Sequence, residues 1–422
     1  MKLKTLTQQI NQFYGRRSKT AAFLMPIIHT QWQSSRMDPE SYGAFRDWLD
    51  EYTALTGNKW AKIEKGLRSS WGKIVDFDSP QDFLFCLKTY YVLVIKELAS
   101  AALSQTLSIS ASNMSPSQRF QTLISESGLV VADFPDPFQW IEKALPHNDM
   151  TDIFTMTTRR GLSSLVQYLR PDLFGNMLIA SEDDVLIEFY QDLFPKNVRH
   201  ALGEYYTPFY ITEILLSRID FHHEKSYLDP ACGSGVFLVN IARRMLKEDV
   251  PLTEIVRRIK GYDINPLAIL SATVNLIFAI SELLPANDRI RIPVHMQDSL
   301  FVEDPPSLFN MQNQRFDTVI GNPPWISWKH ISPTYKRRLA ELAKPYELFS
   351  HKGLKARLGF AQDDISVLFT YVSVDRFLKD SGQLGFVLPQ TLLKTEGGGK
   401  GFRNFRIPRD NTHFGVDGID DM

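Results

Sequence analysis

The sequence predicts an open, doubly wound α/β sheet in its second half, preceded by a region of helical spacing. Three observations predict it. Short apolar runs close in turn on Asp229, Asp263, Asp298 and Asn322. Helical stretches separate the first three of these strand ends. A glycine-rich turn, Gly233-Ser234-Gly235, follows the first run and opens a stretch of helical character from Val236 to Lys247. Open α/β sheets bind ligands outside the carboxyl ends of their strands, so the four polar strand ends are candidate site residues.

The chain before residue 195 contributes helices and no nameable chemistry. Apolar residues recur at helical spacing from Ser41 to Leu67, Phe83 to Leu103 and Glu182 to Leu193, and Ser104 to Ser117 is a Ser-rich loop. No internal repeat is evident. The 422 residues suffice for two or three domains, and 44% hydrophobic content supports real cores. Net charge is −1, so a surface for a polyanion must be local or supplied by a partner. The two cysteines, Cys86 and Cys232, lie far apart, which argues for a reducing compartment and against a disulfide frame or zinc site. Met1 to Lys19 is polar and basic without an apolar core, so no signal peptide is expected. Charges such as Lys96-Glu97 interrupt the longest apolar runs, so no membrane span is expected and the chain reads as cytoplasmic.

Each strand end has its own chemistry. In Tyr227-Leu228-Asp229-Pro230-Ala231-Cys232-Gly233-Ser234-Gly235, glycines permit positive φ and let backbone approach a ligand closely. The spacing is neither the dinucleotide pattern G-x-G-x-x-G nor a phosphate loop. Cys232 reads as a small apolar filler. The run Ile259-Lys260-Gly261-Tyr262-Asp263 ends in a carboxylate that can take two ribose hydroxyls, or simply cap the helix that follows. Val294 to Leu300 places Asp298 where it could accept from an adenine amino group, or stand as an ordinary loop carboxylate. Behind Phe316-Asp317-Thr318-Val319-Ile320 stands Gly321-Asn322-Pro323-Pro324-Trp325. The prolines push Asn322 into an extended conformation and fix the direction of the neighbouring carbonyls. The Asn322 side-chain oxygen and the Pro323 carbonyl make an acceptor pair, and Trp325 makes a stacking wall. Such a cup suits a planar ring bearing an exocyclic amine, whose lone pair is freed when both N–H bonds are accepted. Taken alone, the tetrapeptide reads equally as a strand-ending turn.

In their order, these elements resemble the S-adenosylmethionine-dependent amino-methyltransferases. More narrowly, the chain is similar to the N6-adenine DNA methyltransferases of restriction–modification and related phage-defence systems, in the type I modification subunit or fused type II branch. Asp229 to Gly235 matches the family's cofactor loop, and Asn322, Pro323, Pro324 and Trp325 match its catalytic tetrad. Ahead of them, Gly203-Glu204-Tyr205-Tyr206-Thr207-Pro208 matches the family's Gly-x-Tyr/Phe-Tyr-Thr-Pro element. Without that family order, this stretch is a turn before the helix from Phe209 to Arg218. The resemblance covers roughly residues 186 to 410. It implies S-adenosylmethionine as cofactor, held by Tyr206, Thr207, Asp229, Ala231, Gly233, Gly235, Asp263, Ile264, Asp298, Ser299 and Phe369, and no metal. It implies a Rossmann-like methyltransferase sheet in a catalytic domain of residues 196–422, behind an all-α domain of residues 1–195 that helps hold DNA or a partner. The implied substrate is an adenine extruded from double-stranded DNA, at a cost of a few kcal/mol. A specificity subunit or other defence subunits are the implied partners.

Two basic runs, Lys336-Arg337-Arg338 and Lys394 to Arg409, could touch phosphates or serve as a solvated face and a loop. Pro135-Asp136 followed by Glu142-Lys143 lacks the residue that separates Glu from Lys in a nuclease cluster, so no cleavage is expected. Related enzymes continue beyond the strand at Phe386 to a second stacking aromatic and a target-recognition domain. Here Phe414 fits that aromatic poorly, so either a separate subunit reads the sequence or the chain is truncated. Two other enzyme readings stand beside this one. A protein-glutamine methyltransferase would lack the Tyr205-Tyr206-Thr207-Pro208 element, and an RNA base methyltransferase would carry an RNA module. A third reading is a non-catalytic sensor of DNA or cofactor.

Overall fold

The structure, a computed structural model, describes residues 6–56, 59–106, 114–131, 136–144, 186–202, 204, 206–284, 288–302, 315–328, 331–348, 364–394, 402–408 and 412–420. Outside them fall residues 107–113 of the Ser-rich stretch, whose ends belong to helices, residues 182–185, Gly203, Tyr205, Lys329 and the glycine run 397–399.

Helices build the first half: α1 (Leu6–Tyr14), α2 (Lys19–Ser35), α3 (Pro39–Thr56), α4 (Trp60–Trp71), α5 (Pro80–Thr106), α6 (Pro116–Glu126) and α7 (Trp140–Ala144). The run expected from Ser41 to Leu67 is two helices, α3 and α4, with Gly57-Asn58 between them in sequence. Helix α5 is the central post. It is buried on every side from Phe83 to Leu103, as a helix apolar all round must be. Its charges are paired inside: Lys96 bonds Asp136 at 2.5 Å, and Arg119 reaches both oxygens of Glu97 at 2.7 and 2.5 Å. Burial raises the Glu97 carboxyl above its ordinary pKa against the pull of Arg119. Glu142 accepts from the Ser115 hydroxyl and the Ser117 amide at 2.8 and 2.9 Å. Asp136 and Glu142, the acids of the near-match to a nuclease cluster, are thus tied into the helical core.

Helices α8 (Ile187–Leu193), α9 (Lys196–Leu202) and α10 (Phe209–Arg218) lead into a five-stranded, all-parallel sheet. Its strands are β2 (Tyr227–Asp229), β3 (Ile259–Asp263), β5 (Val294–Met296), β6 (Phe316–Gly321) and β7 (Leu378–Phe386), in the order β5-β3-β2-β6-β7. Parallel strands covered on both faces read as short apolar runs, and all of β2 is buried. Helices α11 (Val236–Lys247), α12 (Leu252–Arg258) and α13 (Pro266–Ile280) connect the first strands. Helix α13 is almost wholly buried, lying against α5 and the sheet, and the Tyr91 and Ser271 hydroxyls bond between the two helices at 3.1 Å. One hydrophobic cluster therefore runs from Ile10 through α5 to Ile320 on β6. A two-residue strand, β1 (Leu129–Val130), pairs with β4 (Ile290–Arg291), so the expected all-helical half also contributes one short strand. A second cluster gathers α14 (Pro333–Ala343), α15 (Ile365–Val372), α16 (Thr391–Lys394) and the hairpin β8–β9 (Arg406–Ile407, Thr412–His413). No helix among the described residues is long and apolar enough to cross a membrane.

The sheet order turns at β2. The chain leaves β2 toward β3 and β5 on one side and returns to β6 on the other, opening a crevice at the carboxyl ends of β2 and β6. Gly261 on β3 lets the turn pack down: a Cβ there would lie 2.5 Å from Leu238 Cδ1 and 3.0 Å from both Cys232 Sγ and Val294 Cγ1. Gly261→Ala is expected to lower the free energy of unfolding by about 1–3 kcal/mol through overpacking, measured by equilibrium denaturation.

Candidate active site

Strand β2 delivers Asp229 to the crevice, buried, with Oδ1 accepting the Ala231 amide at 3.1 Å. Strand β3 delivers Asp263, which takes the Gly233 amide on one oxygen at 3.0 Å and the Asn265 amide on the other at 2.9 Å. The Cys232 amide bonds the Tyr262 carbonyl at 2.8 Å, so the turn is stitched to β3 by backbone as well. The Cys232 side chain is buried, as a filler should be. The two glycines differ in purpose. Both adopt left-handed conformations, φ 53° at Gly233 and 81° at Gly235. A Cβ on Gly233 would meet nothing within 4 Å, leaving that surface open to a ligand. One on Gly235 would press on Ala272 Cβ at 3.0 Å, so this glycine lets α11 pack against α13. Burial raises the carboxyl pKa of Asp229 well above its ordinary value and that of Asp263 in the same direction, and each also feels a neighbouring carboxylate. A cation in the crevice would relieve both.

Asp298, after β5, accepts the Leu300 amide at 3.1 Å and the Tyr335 hydroxyl at 2.9 Å, and burial raises its pKa too. Ser299 donates its hydroxyl to the Pro230 carbonyl, tying this strand end to the glycine turn. Ile264 is 38% exposed, an apolar side chain left open beside Asp263. Phe369 is buried on α15 in the second core, where Ala231 also packs.

On β6 the chain leaves the sheet at Gly321, whose carbonyl accepts the Val387 amide at 3.0 Å. A Cβ on Gly321 would stand 2.5 Å from Asp229 Oδ1, so the two strand ends meet here. Asn322 donates its side-chain amide to Thr207 Oγ1 at 3.0 Å. Its Oδ1 is buried and accepts no hydrogen bond among the described residues. Pro323 is buried, and Pro324 and Trp325 are half-buried. The Trp325 indole N–H bonds the Val387 carbonyl at 3.2 Å, which holds the ring beside the strand end. Thr207 is buried, and Tyr206 lies 5.0 Å, ring to ring, from Tyr190. No group of three or more His, Cys, Asp or Glu that could hold a metal occurs among the described residues.

The expected residues thus assemble along one edge of the sheet, with Phe369 behind them in a core. Sequence reasoning missed the partners that hold them: Thr207 for Asn322, Tyr335 for Asp298, and Glu204 beneath the Tyr206–Thr207 segment. Phe414 packs against Tyr371 and Phe405 at ring distances of 5.2 and 5.5 Å. Of the basic run on α14, Arg337 and Arg338 are exposed, with Arg338 over the Phe301 ring at 3.9 Å.

The N-6 DNA methylase family matches residues 181–413. That is more than half of the chain, which belongs to this family. Over 219 residues the chain is 27% identical to RM.Eco57I, a type II restriction enzyme and methyltransferase of Escherichia coli, covering 51% of this chain and 19% of that protein. Over 123 residues it is 31% identical to the methylase subunit of the type I restriction enzyme MjaIX of Methanocaldococcus jannaschii, covering 29% and 19%. Over 215 residues it is 26% identical to the adenine-specific methyltransferase PglX of Streptomyces coelicolor, covering 38% and 18%. The matched regions span about a fifth of the length of these relatives. Among solved structures, the type ISP restriction-modification enzyme LlaBIII bound to DNA shares the fold at a TM-score of 0.51 and 16% identity, over 96% of this chain and 26% of that one. The DrdV–DNA complex does so at 0.50 and 14%, over 94% and 37%.

A buried acceptor without a donor costs about 1–3 kcal/mol, whereas the bond to Thr207 returns about 0.5–1.5 kcal/mol. Asn322→Ala is therefore expected to leave the midpoint of thermal unfolding unchanged or higher, by calorimetry, despite removing a native hydrogen bond.

Proposed function

We propose that this chain transfers a methyl group from S-adenosylmethionine to the N6 amine of an adenine flipped out of double-stranded DNA. We propose further that it does so as the modification component of a restriction–modification or related defence system. The family match supports the reaction class, and one observation supports the site: the buried Oδ1 of Asn322 at the end of β6, without a partner among the described residues. An oxygen left without a donor is costly, and an exocyclic amine is the donor this reading supplies.

The chemistry follows from the pocket. The lone pair of an adenine N6 is delocalised into the ring and unavailable. Accepting one N–H at Asn322 Oδ1 and the other at the Pro323 carbonyl favours a tetrahedral nitrogen and returns the lone pair to it. Neither proline has an N–H to offer, so the cup stays rich in acceptors. Trp325, tethered through its indole N–H, would stack on the extruded base, worth about 1–3 kcal/mol by analogy with single-strand binders. The cofactor supplies an electrophilic methyl on a sulfonium. The residues of the crevice suit it: an open surface at Gly233, carboxylates at Asp229 and Asp263 for a cationic, hydroxyl-bearing ligand, and the exposed Ile264 for an adenine face. Tyr206, Thr207, Ala231, Gly235, Asp298, Ser299 and Phe369 complete the proposed binding set.

The division into a helical domain of residues 1–195 and a catalytic domain of residues 196–422 belongs to the same proposal. So do a cytoplasmic setting, partner subunits that choose the DNA sequence, and phosphate contacts from Arg337 and Arg338.

Asn322→Ala is expected to keep cofactor affinity by calorimetry and to lose methylation of adenine-containing duplex by at least about a hundredfold, measured with labelled cofactor. Undiminished transfer in that variant would defeat the role given to Asn322. Acid sensitivity gives a second check. Because the folded Asp229 and Asp263 carboxyls titrate above the ordinary carboxylate value of 3.8, they are ionised at high pH and protonate early on acidification. Cofactor affinity is expected to be full at alkaline pH and to start weakening on acidification before the ordinary carboxylate range is reached. Affinity that stays flat until ordinary carboxylates titrate would contradict the carboxylate-lined crevice.

A further inference from the structure

The segment carrying Thr207 is held from the helical half of the chain. Lys88, on α5, is 1% exposed and bonds Glu204 Oε1 at 2.8 Å. Tyr190, on α8, donates its hydroxyl to Glu204 Oε2 at 2.5 Å. The two oxygens of one carboxylate are thus held by two different helices, which fixes both its position and its rotation. The Glu204 amide is anchored as well, on the Arg199 carbonyl at 3.0 Å. Tyr190 stacks on Phe194 with centroids 4.2 Å apart, and the Lys88 ammonium stands 5.9 Å from the Phe194 ring. The same Tyr190 ring lies 5.0 Å from Tyr206, so one side chain holds the segment at both Glu204 and Tyr206. The next residue, Thr207, accepts from the Asn322 amide at 3.0 Å.

A buried ion pair is weak evidence for stability, because apolar residues of similar volume often serve as well. What such a pair does provide is a single geometry. A hydroxyl can give or take a hydrogen bond, so Thr207 sets where the Asn322 amide sits, and the unpartnered Oδ1 is the end left for the base. We propose that Lys88 and Glu204 are positioning residues for methyl transfer: the pair, closed across from α5, locks the segment that brings Thr207 to Asn322. This rests on the reading of Asn322 as the acceptor of the base amine. It makes the helical half part of the catalytic device and gives it a role beyond holding DNA.

The test is a double-mutant cycle on the single-turnover methylation rate, normalised to folded protein, in the full chain with duplex DNA and labelled cofactor. Lys88→Met is expected to slow transfer about tenfold or more, and Lys88→Arg to restore most of the rate. In a Thr207→Val background Lys88→Met is expected to cost less than about twofold, because the path it acts through is already cut. An equal loss in both backgrounds, or no loss in either, overturns the proposal. Should Lys88→Met fail to fold, the Lys88→Met/Glu204→Gln pair leaves no unpaired charge and carries the same measurement. Failure of both to fold would show that the pair serves stability and would also overturn it. A wild-type chain that methylates nothing would sink the functional reading alone. The role of Lys88 is then decided by hydrogen exchange at residues 204–207, faster in the variant if the proposal holds and unchanged if it does not.

Discussion

The site depends on one hydrogen bond and on the atom it leaves over. Asn322 gives its amide to Thr207, and the other end of the same side chain lies buried with no donor among the described residues. Two prolines stiffen the backbone that follows, and the Gly321 carbonyl is fixed by Val387. An unsatisfied buried oxygen held this firmly is costly, whereas a mobile or exposed amide would find water.

The sheet explains why such an oxygen stands beside the crevice at the carboxyl ends of β2 and β6. Reversal of strand order at β2 leaves β2 and β6 adjacent yet far apart in the chain, so the glycine turn and the asparagine turn emerge side by side. The absence of a side chain on Gly321 lets the buried Asp229 come close to it. The carboxylates around the crevice are costly to ionise without a cation, and the acceptor cup is costly to leave without a donor. Both costs would fall on binding of a cation in the crevice and a donor at the cup.

What was legible in the sequence is what local backbone demands write into it. Gly233 and Gly235 occupy left-handed conformations that few other residues tolerate, and strand ends at Asp229, Asp263 and Asn322 follow apolar runs too short to be anything else. The Asn-Pro-Pro-Trp stretch announces its stiffness by composition alone. Illegible were the contacts between distant segments. Thr207 and Asn322 lie 115 residues apart, and Lys88 and Glu204 lie 116 apart. No periodicity encodes such pairs; helix packing and sheet order do. Lys88 was hidden in a helix whose apolar residues suggested only a core, and nothing around Tyr335, just ahead of a basic run, marks it as a partner of Asp298. Phe414, a poor fit to a stacking aromatic from the sequence, packs against the rings of Tyr371 and Phe405.

The most direct test of the acceptor cup is a crystal structure of the chain with a non-reactive cofactor analogue and a duplex containing one extrudable adenine. The account predicts the exocyclic nitrogen within about 2.7–3.2 Å of Asn322 Oδ1, with Thr207 still holding the amide from behind. An Asn322 side chain that keeps its oxygen covered by protein while the base lies elsewhere would contradict it.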